Sequence, residues 1–174
     1  MALAAPCCVC ESRGMSADRI AAITLDEATV LRRGQDVERE REAALRDLVE
    51  DSSFTPLRAV ANGQTGPWSL HLSVPDGRLA LALRDREGND AGTIGLGLAR
   101  FRRVVREYFA ICDSYYKALR KASASELETL DMARRATHDR GARHLADALA
   151  DKIELDHPTA RRLFTLICVL HIKQ

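Results

Sequence analysis

The sequence is short of the features by which many enzymes and membrane proteins are recognised, and each shortage removes a class. No apolar run approaches the roughly 18 residues needed to cross a bilayer, Leu163 to Leu170 being the longest stretch, so no membrane-spanning helix is expected. No phosphate loop of the GK[ST] type occurs, and in Gly92-Thr93-Ile94-Gly95-Leu96-Gly97 the pair Gly95 and Gly97 is not followed by the third glycine of a dinucleotide fingerprint. Cys7-Cys8-Val9-Cys10 lacks the second ligand pair that a zinc site needs. The five cysteines split into Cys7, Cys8 and Cys10 near the start and Cys112 and Cys168 inside apolar helical patterns, an odd and irregular set that excludes a disulfide framework. A reducing, cytoplasmic location follows. The opening MALAAPCCVC has no basic residue ahead of its short apolar run, against a secretory signal, and Pro6 stands where a lipoprotein cleavage site wants a small residue. Internal repeats and low-complexity segments are absent as well.

What the chain does have is an ordinary globular composition: 46% hydrophobic and 29% charged residues over 174 positions, enough for one domain with a real core. Residues 1 to 15 are expected to be a disordered extension or a mis-assigned start ahead of Met15, and 16 to 174 a single domain. The net charge of +1 conceals an asymmetry. Residues 1 to 97 carry 11 basic against 15 acidic side chains, and 98 to 174 carry 15 against 10. The second half is the one that would meet an anion.

An α+β fold is expected, with an antiparallel sheet of three to five strands, one helix before it and a helical half after it. Asp36 caps the first helix, to about Glu50, with acidic residues near its positive end. Trp68, Leu70 and Leu72 alternate with Ser69, His71 and Ser73, a type I turn follows at Pro75-Asp76-Gly77, and Leu79, Leu81 and Leu83 resume the pattern. Ile94, Leu96 and Leu98 complete a meander over 68 to 98. Ile20 to Leu25 and Leu57 to Ala61 are candidate outer strands. Ser123 and Glu126 form a capping box for a helix to about Thr137, Gly141 breaks the pattern, and a short helix covers Ala142 to Ala150. Pro158 opens a last helix that is apolar nearly all round and therefore buried.

The stretch Leu98 to Ala122 holds five of the eight aromatic residues and seven basic ones, an apparent nucleic-acid surface. Helical geometry separates the two sets. At about 100° per residue, the aromatics share an arc with Val104, Val105, Cys112 and Leu119, while the basic residues flank it. The aromatic arc faces the core, and Tyr116, at its edge, is the one aromatic placed to reach both.

The elements ITLDEATVLRR, the meander, FRRVVREYFAICDSYYKAL, DMARR and TARRLFTLICVLH together resemble a small uncharacterised protein family of alphaproteobacteria. The likeness runs from about Ile20 to the C-terminus. It implies a relative without implying an activity.

Among chemistry-bearing residues, Cys112 and Cys168 lie in apolar arcs, where a thiol is an inert small hydrophobe. His138 and His144 do not share a helix face, His138 and Asp139 point apart as neighbours do, and His71 reads as a surface residue. No catalytic residue, cofactor or metal is assigned. The glycine strand at 92 to 97 reads more simply as a face approached closely by its neighbours than as a phosphate cradle. Four arginine doublets recur, at Arg32-Arg33, Arg102-Arg103, Arg134-Arg135 and Arg161-Arg162. Arg100, Arg102, Arg103, Arg161 and Arg162 stand near helix starts, where the dipole favours anions instead. The expected site is thus an anion-facing set: Arg100, Arg102, Arg103, Arg106, Tyr116, Arg134, Arg135, Arg161 and Arg162. The expected function is a non-enzymatic cytoplasmic binding module for an acidic partner, RNA or a ribonucleoprotein. The alternatives are a protein-interaction or oligomerisation module, with Tyr116 and the meander edge as interface, and an enzyme holding a small phosphorylated ligand between the glycine strand and Arg102.

Overall fold

The computed structural model describes residues 17–26 and 35–170, so the N-terminal extension and the Arg32-Arg33 doublet lie outside the described residues. The alternation read from the sequence produces the sheet. Strands β1 (Ile20–Leu25), β3 (Trp68–Ser73), β4 (Arg78–Arg84) and β5 (Asp90–Gly97) lie in the order β1-β3-β4-β5. Trp68, Leu70, Leu72, Leu79, Leu81, Leu83 and Leu96 are buried on one face, and the polar and small residues between them form the other. The meander is antiparallel, with Leu70 opposite Leu83 and Leu81 opposite Ile94. β1 runs parallel to β3, pairing Ile23 with Leu70, a departure from the all-antiparallel sheet. A whole helix, α1 (Gln35–Glu50), separates β1 from β3, and such a long crossover is what returns a chain in the same direction.

Three further departures have local causes. Asp76 and Gly77 both have positive φ, 50° and 73°, so the β3–β4 turn has the type I′ pattern rather than type I. Its twist matches that of the strands it joins. Leu57–Ala61 is a short helix, α2, not a strand. The three-residue strand β2 (Phe54–Pro56) pairs with β6 (Ile153–Leu155) just before it, and beyond that ladder the backbone satisfies itself locally, Asn62 N–H returning to Arg58 O at 3.1 Å. Asp36 lies in the first turn of α1 rather than ahead of it.

The helical half is built from α3 (Arg102–Ala118), α4 (Ala124–Leu149) and α5 (His157–Val169), three helices where four are expected from the sequence. Gly141 does not interrupt α4. It is buried where α4 crosses α5, and a Cβ there would overlap the Phe164 ring, so the glycine sets a close helix approach. The capping box forms as read: Glu126 N–H donates to Ser123 Oγ at 3.3 Å and Ser123 N–H to Glu126 Oε2 at 2.8 Å. α3 buries Val104, Val105, Tyr108 and Cys112, the arc computed from its periodicity. α5 is the central element. Leu163, Phe164, Leu166, Ile167 and Cys168 are at most 2% exposed, and they join the leucine face of the sheet and the inner faces of the other helices in one core.

Candidate functional site

The close approach at Gly141 places the middle of α4 beside the start of α5, and α1 lies against α5 from the other side. Between them opens a cleft of about 620 Å³. Arg134, Arg135 and His138 from α4, Arg161, Arg162 and Thr165 from α5, Glu40 and Asp47 from α1 and Tyr108 from α3 line it. Two of the four arginine doublets therefore converge on one concavity.

Glu40 is the junction of the cleft's inner wall. Its carboxylate accepts from Tyr108 Oη at 3.0 Å and Tyr116 Oη at 3.1 Å, and Arg134 Nη1 stands 3.4 Å away. Arg134 also donates to Asp131 at 2.8 Å and lies over the Tyr115 ring, 5.2 Å from its centroid. Burial, and then the Glu40 charge, raise both Tyr108 and Tyr116 far above the usual phenol range, so both serve as hydrogen-bond donors. Burial works against the Arg134 charge, but the Asp131 hydrogen bond and the Glu40 carboxylate more than offset it.

His138 is the other feature of that wall. Its ring packs against both Tyr108 and Phe164, 5.2 and 5.4 Å between centroids, and Nε2 is 2.8 Å from Thr165 Oγ1. Thr165 Oγ1 also lies 3.3 Å from Arg161 O, a second acceptor within reach of the hydroxyl. The imidazole tautomer decides which of Nε2 and Oγ1 donates, and Nδ1 is buried without a hydrogen-bond partner. Burial, reinforced by the Arg161 charge, lowers its pKa to about 4. The ring is neutral in the folded protein.

The cleft is rich in arginine but balanced in charge. Arg135 meets Asp131 at 2.7 Å, Arg161 pairs with Asp139, and Arg162 stands 3.8 Å from Asp47 and donates to Asp51 O. Each guanidinium has five N–H donors, more than these pairs use, so an entering anion would share the arginines with carboxylates already present.

Arg100, Arg102, Arg103 and Arg106 do not join this cleft. They are exposed at the start of α3, where Arg103 donates to Glu107 at 2.9 Å and Glu107 also pairs with Arg140 of α4. Asp139 reaches α5 while the next residue, Arg140, reaches α3, so the two basic regions lie on different sides of α4. Tyr116 is tied to Glu40 beneath the cleft. Glu40, Tyr108, His138 and Thr165 were not singled out in the sequence as site residues. The available signal was the pair of tyrosines on the core-facing arc of α3, since buried phenols need acceptors.

The glycine strand differs from its reading as a closely packed face. A Cβ at Gly97 would meet nothing within 4 Å, and one at Gly95 only the far end of Arg78 at 3.8 Å. Arg102 does not accompany it; Arg58 and Lys152 do, across a groove beside β5. Cys112 and Cys168 are buried free thiols, the first pushed by burial up to about 11 and the second well above the usual thiol value. Among the described residues no His, Cys, Asp and Glu cluster is placed to hold a metal ion, and no helix is long and apolar enough to cross a membrane.

The sequence profile of an uncharacterised protein family, UPF0262, matches residues 17–173. The chain is 59% identical over 159 residues to a UPF0262 protein of Erythrobacter litoralis, covering 91% of this chain and 99% of that one. It is 57% identical to one from Novosphingobium aromaticivorans, covering 91% and 99%, and 51% identical to one from Sphingopyxis alaskensis, covering 91% and 96%. No solved structure matches the chain. The chain belongs to the UPF0262 family.

Proposed function

We propose, from membership of a family without an assigned activity, that this protein is a non-enzymatic cytoplasmic binding module that holds an acidic partner through arginines of its helical half. The observation that carries the reading is the convergence of Arg134, Arg135, Arg161 and Arg162, from two helices, on one cleft. The partner is RNA or a ribonucleoprotein surface, whose phosphate groups suit the forked donors of arginine. A phosphate entering the cleft takes the N–H groups that Asp131, Asp139 and Asp47 leave unused. The exposed arginines at the start of α3 add attraction at longer range.

No chemical step is assigned. His138 is held neutral and is hydrogen-bonded to Thr165, both thiols are buried, and Glu40 is occupied by two phenols.

Retention on heparin and on immobilised RNA tests the reading. Retention should fall as salt rises and fall further in an Arg135→Glu/Arg162→Glu variant. Absent retention, or retention indifferent to salt and to these charges, would overturn it.

A protein-interaction module is the second reading. Tyr116, the expected interface residue, is engaged by Glu40, but Leu119 and Met132, 51% and 66% exposed, stand on the α3–α4 hairpin, where residues 113 to 136 include none that is buried. A large complex on gel filtration that survives RNase and is lost in Leu119→Glu/Met132→Glu would favour it over RNA.

A further inference from the structure

We infer that the outer edge of β5 is a second binding site, independent of the arginine cleft, which takes an extended peptide of another protein as a fifth strand. β5 closes one side of the sheet, and among the described residues it pairs with β4 alone. Beside it runs a groove of about 520 Å³ that touches every residue from Asp90 to Gly95. Successive residues of a strand point to opposite faces, so a groove in contact with six in a row runs along the strand's edge, reaching Leu83 of β4 at its inner side. That edge presents main-chain N–H and C=O groups, and an extended backbone is the ligand that satisfies them in series. At about 3.3 Å per residue, the lined segment is about 20 Å long, enough for five or six peptide residues.

Three details fit this occupant. Gly92 and Gly95 carry no side chain to hold an incoming backbone away, and a Cβ at Gly92 would have nothing within 4 Å. Among the described residues only the first part of the edge is satisfied from within the chain, Gln64 donating to Asp90 O at 3.0 Å and Gly92 N–H to Asp90 Oδ1 at 2.8 Å. The far wall is formed by Pro56, Arg58, Ala59 and Lys152, so an occupant is bounded on both sides. The groove therefore admits a single strand and not another sheet. Lys152 is paired with Asp151 at 2.6 Å, but Arg58, which has no ion pair among the described residues, favours a peptide with an acidic side chain facing away from β5.

A phage-displayed library of random dodecapeptides, selected on the full chain, tests the site. Peptides recovered should carry Asp or Glu and shift amide resonances within Ala91–Gly97. N-methylation of alternate peptide residues, which removes main-chain donors and keeps the side chains, should weaken binding about tenfold or more, as should Arg58→Glu, an exposed substitution that leaves the fold intact. Failure to recover any binder, shifts confined to other elements, or affinity unchanged by N-methylation would overturn the proposal. None of these outcomes depends on whether the arginine cleft binds RNA.

Discussion

Arg102-Arg103 and Arg134-Arg135 are the same dipeptide on two helices that pack against each other, yet the fold treats them differently. The Arg103 side chain is 87% exposed, and its pair with Glu107 lies one turn along the same helix. The Arg134 side chain is 25% exposed and is held by Asp131 on its own helix, by Glu40 from α1 and by the Tyr115 ring from α3. The first is a solvated ion pair of small energetic weight. The second is part of a half-buried network in which removal of one member leaves others unsatisfied. A charge doublet thus has no fixed meaning in sequence; carboxylates and rings brought from distant elements decide whether it is surface or site.

That contrast can be broken most forcefully at Gly141. Gly141→Ala drives a methyl group into the Phe164 ring and forces α4 away from α5, separating Arg134 and Arg135 from Arg161 and Arg162. A loss of about 3 kcal/mol, at the top of the usual range for overpacking, is expected in denaturant unfolding. A smaller effect follows from acid. The folded-state pKa of His138 is depressed to about 4, against about 6.5 when unfolded. The stability it contributes is therefore complete above pH 6.5 and is lost as pH falls toward 4. At pH 5 the loss is about 2 kcal/mol, and His138→Gln should flatten the slope of stability against pH across that window.

Glu40→Ala leaves the buried Tyr108 hydroxyl without its acceptor and should cost between about 1 and 2 kcal/mol, with Tyr116 released toward solvent in its fluorescence. Arg102→Ala on the exposed side should change stability by less than about 0.5 kcal/mol. If Arg102→Ala and Glu40→Ala proved equally costly, the distinction between the two arginine sets would fail.

Much of the fold was legible because its causes are local. Alternation from Trp68 to Leu98 is enough to specify the meander, the arc of Phe101, Val105, Tyr108 and Cys112 the inner face of α3, and Ser123 with Glu126 the start of α4. The misreadings share a different cause. Gly141 resembles a helix breaker until Phe164 is known to lie across it, β2 and β6 are too short to carry a periodic signal, and the parallel pairing of β1 depends on where the crossover through α1 lands. The site was half legible for the same reason. The doublets on α4 and α5 could be seen, but Glu40 lies 94 residues from Arg134, and nothing in the local sequence around either marks the pairing. The arginines at the start of α3, which had the most conspicuous surroundings in the sequence, are the ones the fold leaves outside the cleft.

Under the proposed function an acidic partner is held in the cleft and not at the exposed start of α3. Anisotropy titration of a fluorescein-labelled oligouridine at low salt, with the unaltered protein, Arg135→Glu/Arg162→Glu and Arg102→Glu/Arg103→Glu measured side by side, tests it directly. Both double variants change the charge equally, so long-range attraction falls equally in both. About a tenfold or greater additional loss of affinity is expected for the cleft variant; equal losses, or a greater loss from the α3 variant, would place the partner elsewhere.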